Sequence, residues 1–300
     1  MNRPHGFYTP LRYPGGKGKL TAYVEKVLEL NGLYGGTYVE PYAGGAAVAL
    51  ELVLRGLVKR VHINDLNPAV HAFWQAVLMN PDELIRRIER CSVDMDTWNW
   101  ARAVQTVEGP DPMDLAFSTF FLNRTNRSGI LLGGVIGGKA QTGPWKIDAR
   151  FNKRDLIMRI ETIADHSGAI RLHHEDAQSL VKRLAPRLAK KNLIYFDPPY
   201  FVKGQGLYMH HYDPSDHASV AKTIESLPSS CNWMVSYDDH PAIRDLYSAY
   251  EELTYTLNYT AAQERGRGTE VIFYSPRLVV PAPVRPMRVM VAAAPALTQR

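Results

Sequence analysis

Residues 37–63 constrain the fold more than any other part of the chain. A short apolar strand at 37–39 runs into the small-residue turn PYAGGAA, a helix follows at about 47–55, and an alternating strand lies near 58–63. A strand, helix, strand unit of about 30 residues belongs to a parallel sheet with crossover helices. The pattern resumes with a helix near 154–165 and a strand around 169–172 that ends in HHEDA. It continues with a helix carrying Ala177, Leu180, Val181, Leu184 and Leu188 on one face, and with the apolar strand 192–196. Further strands are expected at 233–236 and 271–274.

The intervening stretch reads differently. Residues 67–127 are mostly helical in pattern, with Trp74, Trp98, Trp100, Phe117, Phe120 and Phe121 as core bulk, and the glycine-rich 128–143 favours a loop or hairpin. Ahead of the first strand, Leu20, Tyr23, Val24, Val27 and Leu28 form one face of a helix ending near Asn31 and Gly32, so RYPGGKGK is a loop feeding a helix. The reading is an α/β fold interrupted by a helical insert: residues 1–66 and 167–280 form one discontinuous domain and 67–166 the insert. From Pro276 onward five prolines, four arginines and no acid predict little independent fold, and 281–300 is taken as a flexible tail.

Composition narrows the function. The formal charge of +5 suits a polyanionic partner, and residues 117–160 concentrate it: Arg124, Arg127, Lys139, Lys146, Arg150, Lys153, Arg154 and Arg159 stand against Asp148 and Asp155. Cys91 and Cys231 lack partners at metal-ligand spacing, which disfavours a disulfide framework or zinc site and fits a reducing cytoplasm. No stretch approaches the roughly 18 apolar residues of a membrane span, so no membrane partner is expected, and neither is a metal. RYPGGKGKL is not a phosphate-binding loop, because Lys17 precedes Gly18 and Lys19 precedes Leu20 where Ser or Thr is required. The pairs His173 with His174 and His210 with His211 should point apart, as adjacent strand or loop residues do.

Two constellations carry chemistry. Gly44 and Gly45 lie between a strand and a helix, where small residues let a ligand approach the backbone, and Asp65 follows the second strand 20 residues after Gly45. Together they point to an adenosine-containing ligand bound through its ribose; the alternative is a tight turn with Asp65 capping the helix that starts at Pro68. The other constellation, Asp197-Pro198-Pro199-Tyr200, follows the apolar strand directly and projects at the carboxyl edge of the sheet, where open α/β sheets bind ligands. An aromatic amine is a poor nucleophile because its lone pair is delocalised. The Asp197 carboxylate and the Pro198 carbonyl would localise that lone pair by accepting its hydrogens, while Tyr200 stacks on the base. Asp238 and Asp239 border the same edge or cap the helix ahead of Pro241.

With DPPY at 197–200, RYPGGKGKL near the start and VEPYAGGAAV at the glycine turn, the chain resembles the Dam-like, alpha-class DNA adenine methyltransferases over most of residues 8–275. The resemblance implies a Rossmann-like S-adenosylmethionine-dependent methyltransferase sheet with an inserted, mainly helical DNA-recognition domain. It implies double-stranded DNA as partner, a flipped adenine as substrate and direct methyl transfer without a metal. Tyr13 and Lys17 would contact the methionine end of the cofactor, Glu40, Pro41, Ala43 and Gly44 would line it, Asp65 would hold its ribose and Asp176 its adenine. Asp197 would stand beside the reacting amine. NRTNRSG, residues 123–129, is similar to the segment that leads into the family's DNA-reading hairpin, which makes Arg124 and Arg127 candidates for DNA contact, the alternative being a solvated basic surface. A cytoplasmic monomer, bacterial or phage-encoded, is the corresponding expectation. Two rivals share the pattern: amino-methylation of cytosine, RNA or protein, and a non-catalytic DNA-binding protein that retains the fold.

Overall fold

The structure is a computed structural model that describes residues 8–12, 17–202, 212–257, 268–284 and 287–289. Along the chain come helix α1 (Thr21–Leu30), strand β1 (Thr37–Glu40), α2 (Ala47–Leu54) and β2 (Arg60–Asn64). Four helices follow: α3 (Pro68–Met79), α4 (Pro81–Arg90), α5 (Met95–Val104) and α6 (Pro112–Thr125). Then come α7 (Lys153–Ala164), β3 (Ile170–His173), α8 (Ala177–Leu184), β4 (Asn192–Phe196), α9 (Pro214–Glu225), β5 (Trp233–Asp238) and α10 (Pro241–Leu246). Strands β6 (Glu252–Leu257), β7 (Gly268–Tyr274) and β8 (Arg288–Val289) complete the described elements.

The strands form one sheet in the order β3-β2-β1-β4-β5-β7-β6-β8. The first five run parallel, and β7 enters between β5 and β6, antiparallel to both. Strand residues alternate between two apolar layers, as the period of two requires. In β4, Leu193 and Tyr195 join the layer shared with α1, α2 and the helical insert, whereas Ile194 and Phe196 join Leu180, Val220 and Ile243 of α8, α9 and α10. The first layer is continuous from Leu50 and Val61 through Phe73, Phe120 and Ile160, so the insert and the sheet share one core.

Several expectations are revised. Trp98 is buried, but Trp100 is 39% exposed; two residues along α5 is about 200° around a helix, so both rings cannot face one core. Strand β2 lies one to two residues later than its pattern suggested, with Val58 buried in the preceding turn. Residues 277–284 and 287–289 pack against the fold: Leu278 and Met287 are buried, β8 pairs with β6, and the Pro281 carbonyl accepts from the Tyr23 hydroxyl at 3.3 Å; the rest of the expected tail lies outside the described residues. Helix α10 is capped by His240, whose Nδ1 accepts from the Ala242 amide, and not by Asp238 or Asp239. His173 and His174 do point apart, stacking on His62 and His71 respectively, while His210 and His211 lie outside the described residues.

Candidate active site

Because β1 to β5 are parallel, their carboxyl ends lie along one edge, where residues 40–44, Asp65, Asp176 and Asp197 follow β1, β2, β3 and β4. Antiparallel β7 brings its amino-terminal end to the same edge, with Glu270 directly opposite Asp238.

The turn after β1 is tightly built. Gly44 and Ala46 both have φ of 48°, a left-handed conformation that glycine adopts freely and alanine only under constraint. The Gly44 amide donates to Asp65 Oδ2 at 3.0 Å, the Gly44 carbonyl accepts from Trp74 Nε1 at 2.8 Å, and the Gly45 carbonyl accepts from Thr9 Oγ1. Asp65 Oδ1 also accepts from the Asn67 amide, and it is Asn67 that caps α3. The Ala43 amide donates to the Asn64 carbonyl, and the Pro41 carbonyl accepts from Asn64 Nδ2. Glu40 is buried; its Oε1 accepts from the Tyr38 hydroxyl and the Ala49 amide, and burial pushes its carboxyl up to about 8. Asp176 ends the β3 edge as the exposed N-cap of α8.

At the end of β4, Asp197 is partly buried, its side chain 26% exposed. Ser236 Oγ donates to its Oδ1 at 2.8 Å, and Lys17 Nζ lies 3.4 Å from the same oxygen. Since the Ser236 proton goes to the carboxylate, the Tyr195 hydroxyl supplies the proton of the 2.7 Å bond between the two hydroxyls. Oδ2 receives no hydrogen bond from the described residues. Burial raises the Asp197 carboxyl above the usual carboxylate range; Glu270 adds to this and Lys17 opposes it.

Lys17 stands in a 3-10 turn ahead of α1 and is buried. Its ammonium donates to Glu270 Oε2 at 2.8 Å and to the Tyr200 hydroxyl at 3.0 Å. Burial alone would lower its pKa, but Asp197 and Glu270 overcome this and raise it well above the ordinary value. Tyr200 donates to Glu270 Oε1 at 2.8 Å, and Tyr255 donates to Oε2. Asp238 accepts the amides of Phe201 and Val202, bracing the chain beyond the tetrad. Sequence reasoning missed Glu270: the strand there was recognised only from Val271, and no local signal sets this acid, buried like the four residues after it, apart from a solvated one.

The other candidates separate. Tyr13 lies outside the described residues, and Pro198 is buried beside Asp197. Arg127 is exposed, as are Lys139, Lys146, Arg150 and Arg154. Arg124 is turned inward, donating to the carbonyls of Arg150 and Pro10; burial, with Arg12 and Arg159 nearby, lowers its pKa to about 9. Asn123 and Asn126 of the NRTNRSG segment are buried tethers: Asn123 bonds the Arg12 amide and carbonyl, and Asn126 accepts from Trp98 Nε1. Among the described residues no cluster of three His, Cys, Asp or Glu is arranged to hold a metal ion, and no helix is long and apolar enough to cross a membrane.

The model of the D12 class N6 adenine-specific DNA methyltransferases matches residues 13–261. The chain belongs to this family of DNA methyltransferases. Its fold is the Rossmann-like methyltransferase sheet with a mainly helical insert that the sequence led us to expect. A comparison with curated proteins gives no significant match. Among solved structures, the ribosomal RNA methyltransferase AviRa of Streptomyces viridochromogenes is 15% identical with a TM-score of 0.42, covering 90% of each chain. A S-adenosylmethionine-dependent methyltransferase of Neisseria gonorrhoeae is 16% identical with a TM-score of 0.37, covering 90% of this chain and 71% of its own. Likeness of that degree assigns no activity.

Proposed function

We propose that the protein transfers a methyl group from S-adenosylmethionine to the exocyclic amine of an adenine turned out of double-stranded DNA. The observation that carries this reading is Asp197 at the end of β4, its Oδ1 fixed by Ser236 and Lys17 and its Oδ2 left to accept from a substrate amine. Asp197 and the Pro198 carbonyl draw on the two amine hydrogens, and Tyr200, tethered through its hydroxyl, presents a ring of fixed plane to the base.

The chain's own residues fit the methyl donor. The left-handed backbone at Gly44 and Ala46 and the Asp65 carboxylate hinged on the Gly44 amide suit a nucleoside at the end of β1, with Glu40, Pro41 and Ala43 lining it. Asp65 would take the ribose hydroxyls, the exposed Asp176 the adenine amine, and Lys17 with Tyr13 the methionine end. When bound, the donor supplies an electrophilic methyl on a sulfonium. Asp197, or water beside it, would take the proton that the amine nitrogen releases on methylation. Alignment and electrostatics are the protein's share of the work.

The insert, 67–166, is the part assigned to DNA recognition. Arg127, Lys139, Lys146, Arg150 and Arg154 are exposed on it for phosphate contact, with Trp145 and Leu132 exposed among them. The test is incubation with unmethylated DNA and methyl-labelled donor, digestion to nucleosides and identification of the labelled one. Label on adenine that disappears in Asp197→Ala is expected. Label on cytosine alone, or only on RNA or protein, overturns the substrate assignment.

A further inference from the structure

We infer that Glu270 is a positioning residue for the transfer: it holds the Lys17 ammonium and the Tyr200 hydroxyl so that Asp197 keeps an oxygen for the substrate amine. This rests on the adenine-methyltransferase reading and adds to it a residue from a strand that follows the tetrad by about 70 positions.

The geometry is specific. One buried ammonium lies between two carboxylates, and the closer contact, 2.8 Å against 3.4 Å, is to Glu270 and not to Asp197. Each oxygen of Glu270 is used: Oε1 takes the Tyr200 hydroxyl, and Oε2 takes Lys17 and the Tyr255 hydroxyl. The residue is 2% exposed, so it has no solvent role. Pairing of β7 with β5 sets Glu270 against Asp238, and these neighbouring acids brace one segment: Asp238 through the amides of Phe201 and Val202, Glu270 through Tyr200. With a neutral residue at 270, the ammonium would have only Asp197 as a carboxylate partner. Burial favours closing that gap, and the carboxylate then spends on Lys17 the acceptor capacity the amine needs.

Glu270→Gln keeps size and polarity while removing the charge, and three quantities are measured on the full chain. The first is affinity for S-adenosylmethionine by calorimetry, the second the single-turnover rate on saturating DNA, and the third the pH dependence of that rate. The rate should fall roughly 10- to 100-fold, and cofactor affinity by less, because Lys17 keeps its charge. The acid limb should move to lower pH, because Glu270 is one of the groups that raise the Asp197 carboxyl. The other groups around that carboxyl, Lys17, Tyr195, Ser236, Tyr38 and Glu40, stay unchanged in the variant. Tyr255→Phe, which keeps the charge and removes one hydrogen bond, should give a smaller loss of rate with the limb in place, and it decides the matter if the Gln variant does not fold. A rate within twofold of wild type in the variants that fold, or a loss that merely tracks lowered thermal stability with an unmoved acid limb in Glu270→Gln, overturns the inference. Failure of the wild-type protein to label adenine would instead overturn the underlying reading, so the two outcomes are distinct.

Discussion

Glu40 closes β1 inside the protein, with both of its hydrogen-bond donors on one oxygen and its carboxyl pushed up to about 8. Unfolded, the same group titrates near 4.5. Between those values the native state holds a proton that the unfolded state has released, so the contribution of this group to stability is fully present below about 4.5 and is lost as pH rises toward 8. Glu40→Gln keeps an acceptor for Tyr38 and Ala49 and removes the titration. Urea denaturation should therefore find the variant more stable than wild type at pH 8 by an amount on the order of a few kcal/mol, with the advantage gone at pH 4. At this scale the sequence marks Asp197 and Lys17 through short motifs, and the structure sets them 3.4 Å apart. It does not mark Glu270, because nothing local tells a buried acid in a strand from a solvated one. Arg124 was ambiguous for a related reason: only tertiary contacts turn its guanidinium onto the carbonyls of Arg150 and Pro10.

Elements with a clean period were legible, and those that depend on distant partners were not. Helix α1 shows its face in Leu20, Tyr23, Val24, Val27 and Leu28, all of which are buried. Helix α9 carried a visible signal that went unused, the capping box between Asp213 and Asp216. Residues 277–284 and 287–289 were unreadable because their order comes from α1 and β6: Asn31 Nδ2 donates to the Val279 carbonyl, and Tyr23 and Tyr274 share a 2.7 Å bond beneath it. Truncating the buried Leu278 to Ala should lower stability by about 2–5 kcal/mol, read by urea denaturation. Helix α3 reaches from the insert to the glycine turn through Trp74, so Trp74→Phe should lose about 1 kcal/mol and weaken cofactor affinity in calorimetry, the edge-to-face contact with Phe73 being retained.

For the molecule as a whole, the exposed cations of the insert predict binding to DNA whose log affinity falls linearly with log salt. Exchanging Lys139 or Arg154 for Ala should lower the magnitude of that slope by about one unit each, as fluorescence anisotropy across a salt series would reveal, whereas Arg124→Ala should act through stability. The placement of β7 has another consequence. Lys17 and Glu270 are separated by 253 residues, and β7 is inserted between β5 and β6, which come before it in the chain. Until it arrives β5 has an open edge, and Lys17 lacks its nearest counter-charge. During synthesis the site is thus among the last parts to be completed: a nascent chain can carry every family motif and still hold no working centre, leaving a sticky strand edge for chaperones to guard.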